Sequence, residues 1–261
     1  MKIGLCTSVE NALIAHNAGF DYVEENVQGL LIPEQPEEAF TPKLNAVRNA
    51  PLPIHAACAF LPAALKCVGP DVDEARLLRY AGTAFRRASE AGIRFIVFGS
   101  GGARQIPDGF SAAKAREQFV SYLKKIAPLA KVRDVNLVIE CLNKKECNFL
   151  NRLAEGEAIV EEVNHPNVQL LADIYHMRVE GESAVEIVKY GKLIRHVHVA
   201  ELEGRQAPGT SGEDFSLFLR ALKEINYQGA ISFECGWKNL SQQATGSLRS
   251  FREQLRQAGL A

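Results

Sequence analysis

This chain predicts a single (β/α)₈ barrel spanning residues 1–261, on three observations. Short apolar runs alternate with segments of helical spacing along the whole sequence. There are eight such runs, the number a closed barrel of parallel strands needs. The turn after the first run, Thr7-Ser8-Val9-Glu10-Asn11, lacks the glycines that a doubly wound open sheet would be expected to carry there.

The runs are Ile3–Cys6, Tyr22–Glu24, Pro53–Ala57, Ile93–Phe98, Val135–Glu140, Val168–Asp173, Ile194–Val199 and Ala230–Glu234. A helix is expected from Asp73 to Ala91, because Leu77, Leu78, Ala81, Ala84, Phe85 and Ala88 form one stripe and Gly92 stops it. A second runs from Ser111 to Arg133, with Ser111 as its cap and Phe119, Leu123, Ile126 and Ala130 as its stripe. The last spans about Leu240 to Ala258. Two long connections break the rhythm. One is Asn26 to Pro53, with Pro33, Pro36, Pro42 and Pro51, and the other is Phe60 to Pro70. Long loops on the catalytic face of a barrel shape or cover a pocket.

Composition excludes several classes of function. A net charge of −1 leaves no electrostatic footprint for nucleic acid or an anionic membrane. No apolar run approaches the ~20 residues of a membrane span. The N-terminus enters a strand directly, without the pattern of a signal peptide, so the expected location is cytoplasmic. The six cysteines lack C-x-x-C spacing and are expected to be free thiols. Cys141 and Cys235 each follow a candidate ligand, so alternation points them away from the site.

The chemistry concentrates at four successive strand ends: Glu140, Asp173, His198 and Glu234. Their spacings of roughly 25–36 residues match the ~30 that one strand and helix occupy. Each carboxylate closes an apolar run, where burial without a partner is costly. A divalent ion supplies that partner, and three oxygens with one nitrogen suit Mn²⁺, Mg²⁺ or Co²⁺ better than a structural Zn²⁺. Other candidates stand apart. His55, in the third run, is expected at the rim within reach of substrate. His196, one layer below His198, is expected to pack structurally. Gly99-Ser100-Gly101-Gly102-Ala103-Arg104 reads as a tight turn making room for substrate, with anion binding through Arg104 as the alternative. Trp237 is a candidate pocket wall, with simple packing as its alternative, and His16 and His165 read as surface residues.

The sequence Glu140-Cys141-Leu142-Asn143-Lys144-Lys145-Glu146, with Phe149-Leu150-Asn151, Asp173-Ile174-Tyr175-His176, His196-Val197-His198, Arg205-Gln206-Ala207-Pro208-Gly209 and Glu234, resembles the xylose isomerase-like superfamily of sugar isomerases and epimerases. It is most similar to the ketohexose epimerases. The resemblance implies metal ligands at Glu140, Asp173, His198 and Glu234, with Glu140 and Glu234 doubling as acid/base pair. It implies substrate contacts from Glu146, His176 and Arg205. One divalent ion is implied, Mn²⁺ foremost, with Mg²⁺, Co²⁺ or Zn²⁺ as alternatives, and so is a homodimer or homotetramer. Asn143-Lys144 stands where these epimerases have Asn-Arg, replacing a planar fork by a point charge.

The expected reaction moves a proton α to the carbonyl of a keto sugar through an enediolate. Return from the opposite face epimerises, and transfer to the adjacent carbon isomerises. A lyase or dehydratase acting on an inosose or keto-glycoside would use the same first step. A barrel nuclease needs further His and Asp ligands that the fourth strand, ending Val97-Phe98-Gly99, does not offer. A non-catalytic sugar-binding barrel would have no use for the complete ligand set.

Overall fold

The computed structural model describes residues 1–260. Its strands are β1 (Lys2–Cys6), β2 (Tyr22–Asn26), β3 (Ile54–Cys58), β4 (Phe95–Phe98), β5 (Asn136–Glu140), β6 (Val168–Asp173), β7 (Ile194–Val199) and β8 (Ala230–Phe233). Each pairs in parallel with the next, and β8 closes onto β1 through Ile3↔Ile231 and Leu5↔Phe233. The predicted barrel is therefore closed, and its C-terminal rim carries the ends of all eight strands.

Capping and periodicity place the helices outside. Asp73 accepts the Arg76 N–H at 2.9 Å and starts the helix Glu74–Glu90, whose buried face includes Leu77, Tyr80, Ala81, Ala84, Phe85 and Ala88. Gly92 follows with φ of 75°, a conformation that suits glycine and ends the run. Ser111 caps Ala112–Val132 as expected. The stretch from Asn26 to Pro53 differs from expectation, because it contains the helices Val27–Leu30 and Glu37–Asn49. Pro36 sits just outside the second of these as its cap, where a missing N–H costs nothing, and Phe40 and Leu44 bury its inner face. The segment from Phe60 to Pro70 keeps its irregular path and is anchored by its buried Phe60, Leu61, Leu65, Cys67 and Val68. Among the described residues, no helix is long and apolar enough to cross a membrane.

The barrel interior is divided. Val97, Val138 and Leu171 form an apolar cluster on the β4–β6 side. On the β2, β7 and β8 side lie Tyr22, Glu24, His196, His198 and Ser232, none more than 1 % exposed. Gly4 on β1 makes this polar half possible. A Cβ there would stand 2.1 Å from the Tyr22 ring, so only glycine leaves space for that ring to cross toward β8.

Candidate active site

Strand register brings three of the four expected ligands to neighbouring strand ends. Asp173 pairs with His198, and Glu140 pairs with Leu171, one inward step below Asp173. Glu234 follows β8 directly, and its N–H donates to the Val199 carbonyl. Glu140, Asp173 and His198 are buried, and Glu234 is partly so. His198 Nδ1 lies 3.2 Å from Glu140 Oε1 and 3.5 Å from Glu234 Oε2, so one imidazole nitrogen faces both carboxylates.

Asp173 does two jobs. Its Oδ1 accepts the N–H groups of Tyr175 and His176 at 2.7 and 3.3 Å, starting the helix Ile174–Val179. Its Oδ2 faces His176 Nε2 at 3.5 Å and Arg205 Nη2 at 3.4 Å. His176 Nδ1 accepts the Asn143 backbone N–H at 3.3 Å and lies 2.9 Å from its side-chain amide, which also reaches Glu146 Oε1 at 2.8 Å. Donor atoms of Glu140, Asp173, His176 and Glu234 all lie within 4.8 Å of one another. His176, expected only to contact substrate, thus stands as near the three carboxylates as a ligand would. A second grouping, Cys6, Glu24 and His198, shares the same spacing on the inner side.

Arg205 is aimed by strained backbone. Gly204 and Arg205 both take left-handed φ, 65° and 50°, turning the side chain back over the barrel mouth. Its guanidinium pairs with Glu234, approaches Glu146 at 3.5 Å and lies over the Tyr175 ring at 4.8 Å. Lys144 turns outward to Glu180 at 3.6 Å, so the Asn-Lys departure leaves no cation from that position in the site.

The electrostatics follow from three carboxylates crowded together at the barrel mouth, two of them buried. Burial, reinforced by the Glu234 charge, pushes the Glu140 carboxyl above its ordinary range, and burial does the same to Asp173. Burial also opposes ionisation of Glu234, but His198 and Arg205 outweigh it and hold the group down to about 2. Burial pushes His176 down. It opposes the charge of His198 too, yet Glu24 and Glu234 raise that imidazole well above its usual value. Glu24 is the reverse case, with His198 and His196 overcoming burial to hold it well below the carboxylate range.

Above the carboxylates lies a cavity of about 370 Å³, lined by Glu140, Glu146, His176, Arg205 and Glu234 on one side and by Gln28, Ala59, Leu61, Ala63 and Gly99 to Gly102 on the other. Gly99 is needed there, since a Cβ would stand 2.0 Å from Glu140 Oε2. The glycine turn therefore makes room, as expected. Arg104 does not face the cavity. It is buried and donates to the main-chain oxygens of Phe98 and Glu140 at 2.9 and 2.6 Å, tying the ends of β4 and β5 together.

His55 is corrected by the structure. It is the second residue of β3, and so lies at the N-terminal end of the barrel beside Lys2 and Phe95, in a different cavity of about 720 Å³. Its ring packs against Tyr22 and Phe95, with centroids 5.1 and 5.4 Å away. No substrate on the C-terminal rim can touch it. Cys141 points outward as expected, its thiol 3.1 Å from the Arg152 carbonyl. The residue that the sequence reading missed is Glu24. It meets the same criterion as the others, a carboxylate closing an apolar run, but the adjacent Glu25 hides which of the two points inward.

Comparison with known proteins agrees with this architecture. The family model described as a xylose isomerase-like TIM barrel matches residues 13–256. An L-ribulose 3-epimerase from Methylomonas sp. (strain DH-1) is 31% identical over 248 residues, covering 87% of this chain and 82% of the relative. A D-psicose 3-epimerase from Agrobacterium fabrum is 36% identical over 116 residues, which is 44% of this chain and 40% of that protein. The crystal structure of a D-allulose 3-epimerase from Methylomonas sp. superposes with a TM-score of 0.84 at 26% identity, covering 98% of each chain. The chain is an enzyme and belongs to the family of xylose isomerase-like TIM barrels.

Proposed function

We propose that this chain is a divalent-metal-dependent epimerase of a keto sugar, working as one barrel domain over residues 1–261. The observation that carries the reading is the approach of Glu140 and Glu234, at 3.2 and 3.5 Å, to the same His198 Nδ1 in the wall of a cavity of sugar size. The donor set fits a hard divalent ion, since two buried carboxylates, the partly buried Glu234 and imidazole nitrogen converge where Arg205 supplies the nearest fixed positive charge. Glu140, Asp173, His198 and Glu234 would hold it. Bound there, Mn²⁺ or a similar ion would stabilise the negative charge that develops on the substrate's carbonyl oxygen.

The chain's own groups supply the rest. Glu140 and Glu234 stand on β5 and after β8, so a ketose between them presents one carbon to two carboxyl groups, one to remove a proton and one to return it. His176 accepts from Asn143 at Nδ1, which leaves its Nε2–H to donate to a substrate hydroxyl. Arg205 and Glu146 add a donor and an acceptor at the cavity mouth, where their hydrogen bonds select sugars by hydroxyl configuration. Ala59, Leu61 and Ala63 close the opposite wall and limit water. The six free cysteines favour the reducing cytoplasm as the place of work.

The test is incubation of a ketose panel in D₂O with Mn²⁺, followed by NMR. Deuterium entering the carbon next to the carbonyl together with an inverted product is the expected result. Glu140→Gln and Glu234→Gln should each slow that exchange by ~10²–10⁴-fold. Full exchange in either variant would remove that residue from the reaction.

A further inference from the structure

Below the site, Glu24 reaches across the barrel from β2 to β7 and β8. Its Oε1 lies 2.9 Å from His198 Nε2. Its Oε2 takes the Ser232 hydroxyl at 2.6 Å and lies 2.7 Å from His196 Nε2. The Tyr22 hydroxyl, passing over Gly4, stands 2.8 Å from Ser232 Oγ and completes the chain. An ionised carboxylate only accepts, so both imidazoles must present N–H from Nε2. For His198 this has a geometric consequence. With hydrogen fixed on Nε2, the neutral ring carries its lone pair on Nδ1, which is the nitrogen facing Glu140 and Glu234.

We infer that Glu24 is a positioning residue for the metal centre: through His198 Nε2 it sets the ring's tautomer and orientation so that Nδ1 offers its lone pair to the ion. This rests on the proposed metal site and adds to it a partner that contacts neither ion nor substrate. A carboxylate behind a ligating imidazole also raises its basicity, and loss of such a partner typically costs 10–100-fold in metal affinity. The arrangement has structural cost, which argues that it is specified. It places a carboxylate with no solvent exposure in the barrel interior, where the neighbouring half is filled by Val97, Val138 and Leu171. It also leaves His196 Nδ1 without a partner.

Glu24→Gln keeps the size of the side chain while removing its charge and making the tautomer ambiguous, because the amide can donate as well as accept. Titration calorimetry with Mn²⁺ should give one site per chain in wild type and a Kd about 10–100-fold weaker in Glu24→Gln. A wild-type chain that binds no Mn²⁺ would sink the metal reading and this inference with it. Tight wild-type binding matched by Glu24→Gln would sink this inference alone. If Glu24→Gln does not fold, nitrogen-15 NMR of the Mg²⁺-loaded wild-type enzyme decides, with the His198 ring assigned by the signals lost in His198→Asn. A hydrogen on Nε2 and none on Nδ1 is expected, and a hydrogen on Nδ1 would overturn the assignment.

Discussion

Gly99→Ala perturbs the site without touching a polar group. The new Cβ would lie 2.0 Å from Glu140 Oε2 and 3.1 Å from its Cδ, where ordinary contact begins at 3.4 Å. The oxygen must retreat by about 1.4 Å, and a misplacement of ~1 Å can cost ~10²-fold in rate. The Glu140 main chain cannot take up the shift, because Arg104 holds its carbonyl at 2.6 Å. The side chain must rotate instead, and Oε1 leaves His198 Nδ1. The expected result is a kcat/KM lower by ~10²–10⁴-fold, weaker Mn²⁺ binding and a nearly unchanged melting temperature, since position 99 needs no left-handed backbone. Ketose epimerisation kinetics, Mn²⁺ calorimetry and a thermal melt measure the three. Gly99→Ala with kcat/KM near wild type would refute the argument that this glycine exists to seat Glu140.

Three further outcomes are expected. His176→Ala should keep Mn²⁺ affinity and raise KM by an amount that differs between two ketoses; calorimetry showing lost metal binding would make His176 a ligand, as its proximity to the three carboxylates allows. His55→Ala should leave kcat/KM unchanged and cost ~1–3 kcal/mol in urea unfolding, from two aromatic contacts worth ~0.5–1.5 kcal/mol each; a tenfold fall in activity would return His55 to the site. Glu182 accepts the Leu153 N–H, and burial pushes its carboxyl up to about 7. A folded pKa above the unfolded value means that stability present below pH ~4.5 is lost as pH rises through 7. Glu182→Gln should therefore raise the melting temperature at pH 8 but not at pH 4, and a calorimetric gain equal at both would contradict this.

What could be read in advance followed from local chemistry. The barrel was legible because its strands and longest helices announce their own periods, and Asp73, Gly92 and Ser111 punctuate those helices where the pattern expects them. Glu140, Asp173 and Glu234 were legible because a carboxylate closing an apolar run is anomalous in isolation. Glu24 was not, because its partners come from the far wall of the barrel, 172 to 208 residues along the chain. His55 was misplaced because alternation gives the face of a strand but not the height, and β3 extends to Cys58, putting His55 near its beginning. The helix Glu37–Asn49 was hidden by prolines that in fact sit at its cap and in its second turn.

The cavity is assembled from two unlike contributions. The four proposed metal ligands and the arginine come from β5 or later, whereas Ala59, Leu61, Ala63 and Gly99 to Gly102 come from the ends of β3 and β4. Apart from Glu24, which supports His198 from β2, chemistry and shape are thus written in different halves of the sequence. A barrel divided in this way lets the loops of its first half be exchanged or redrawn for a new sugar while the reactive centre stays as it is, and the limit on such redesign falls at Gly99, where the wall touches the machinery.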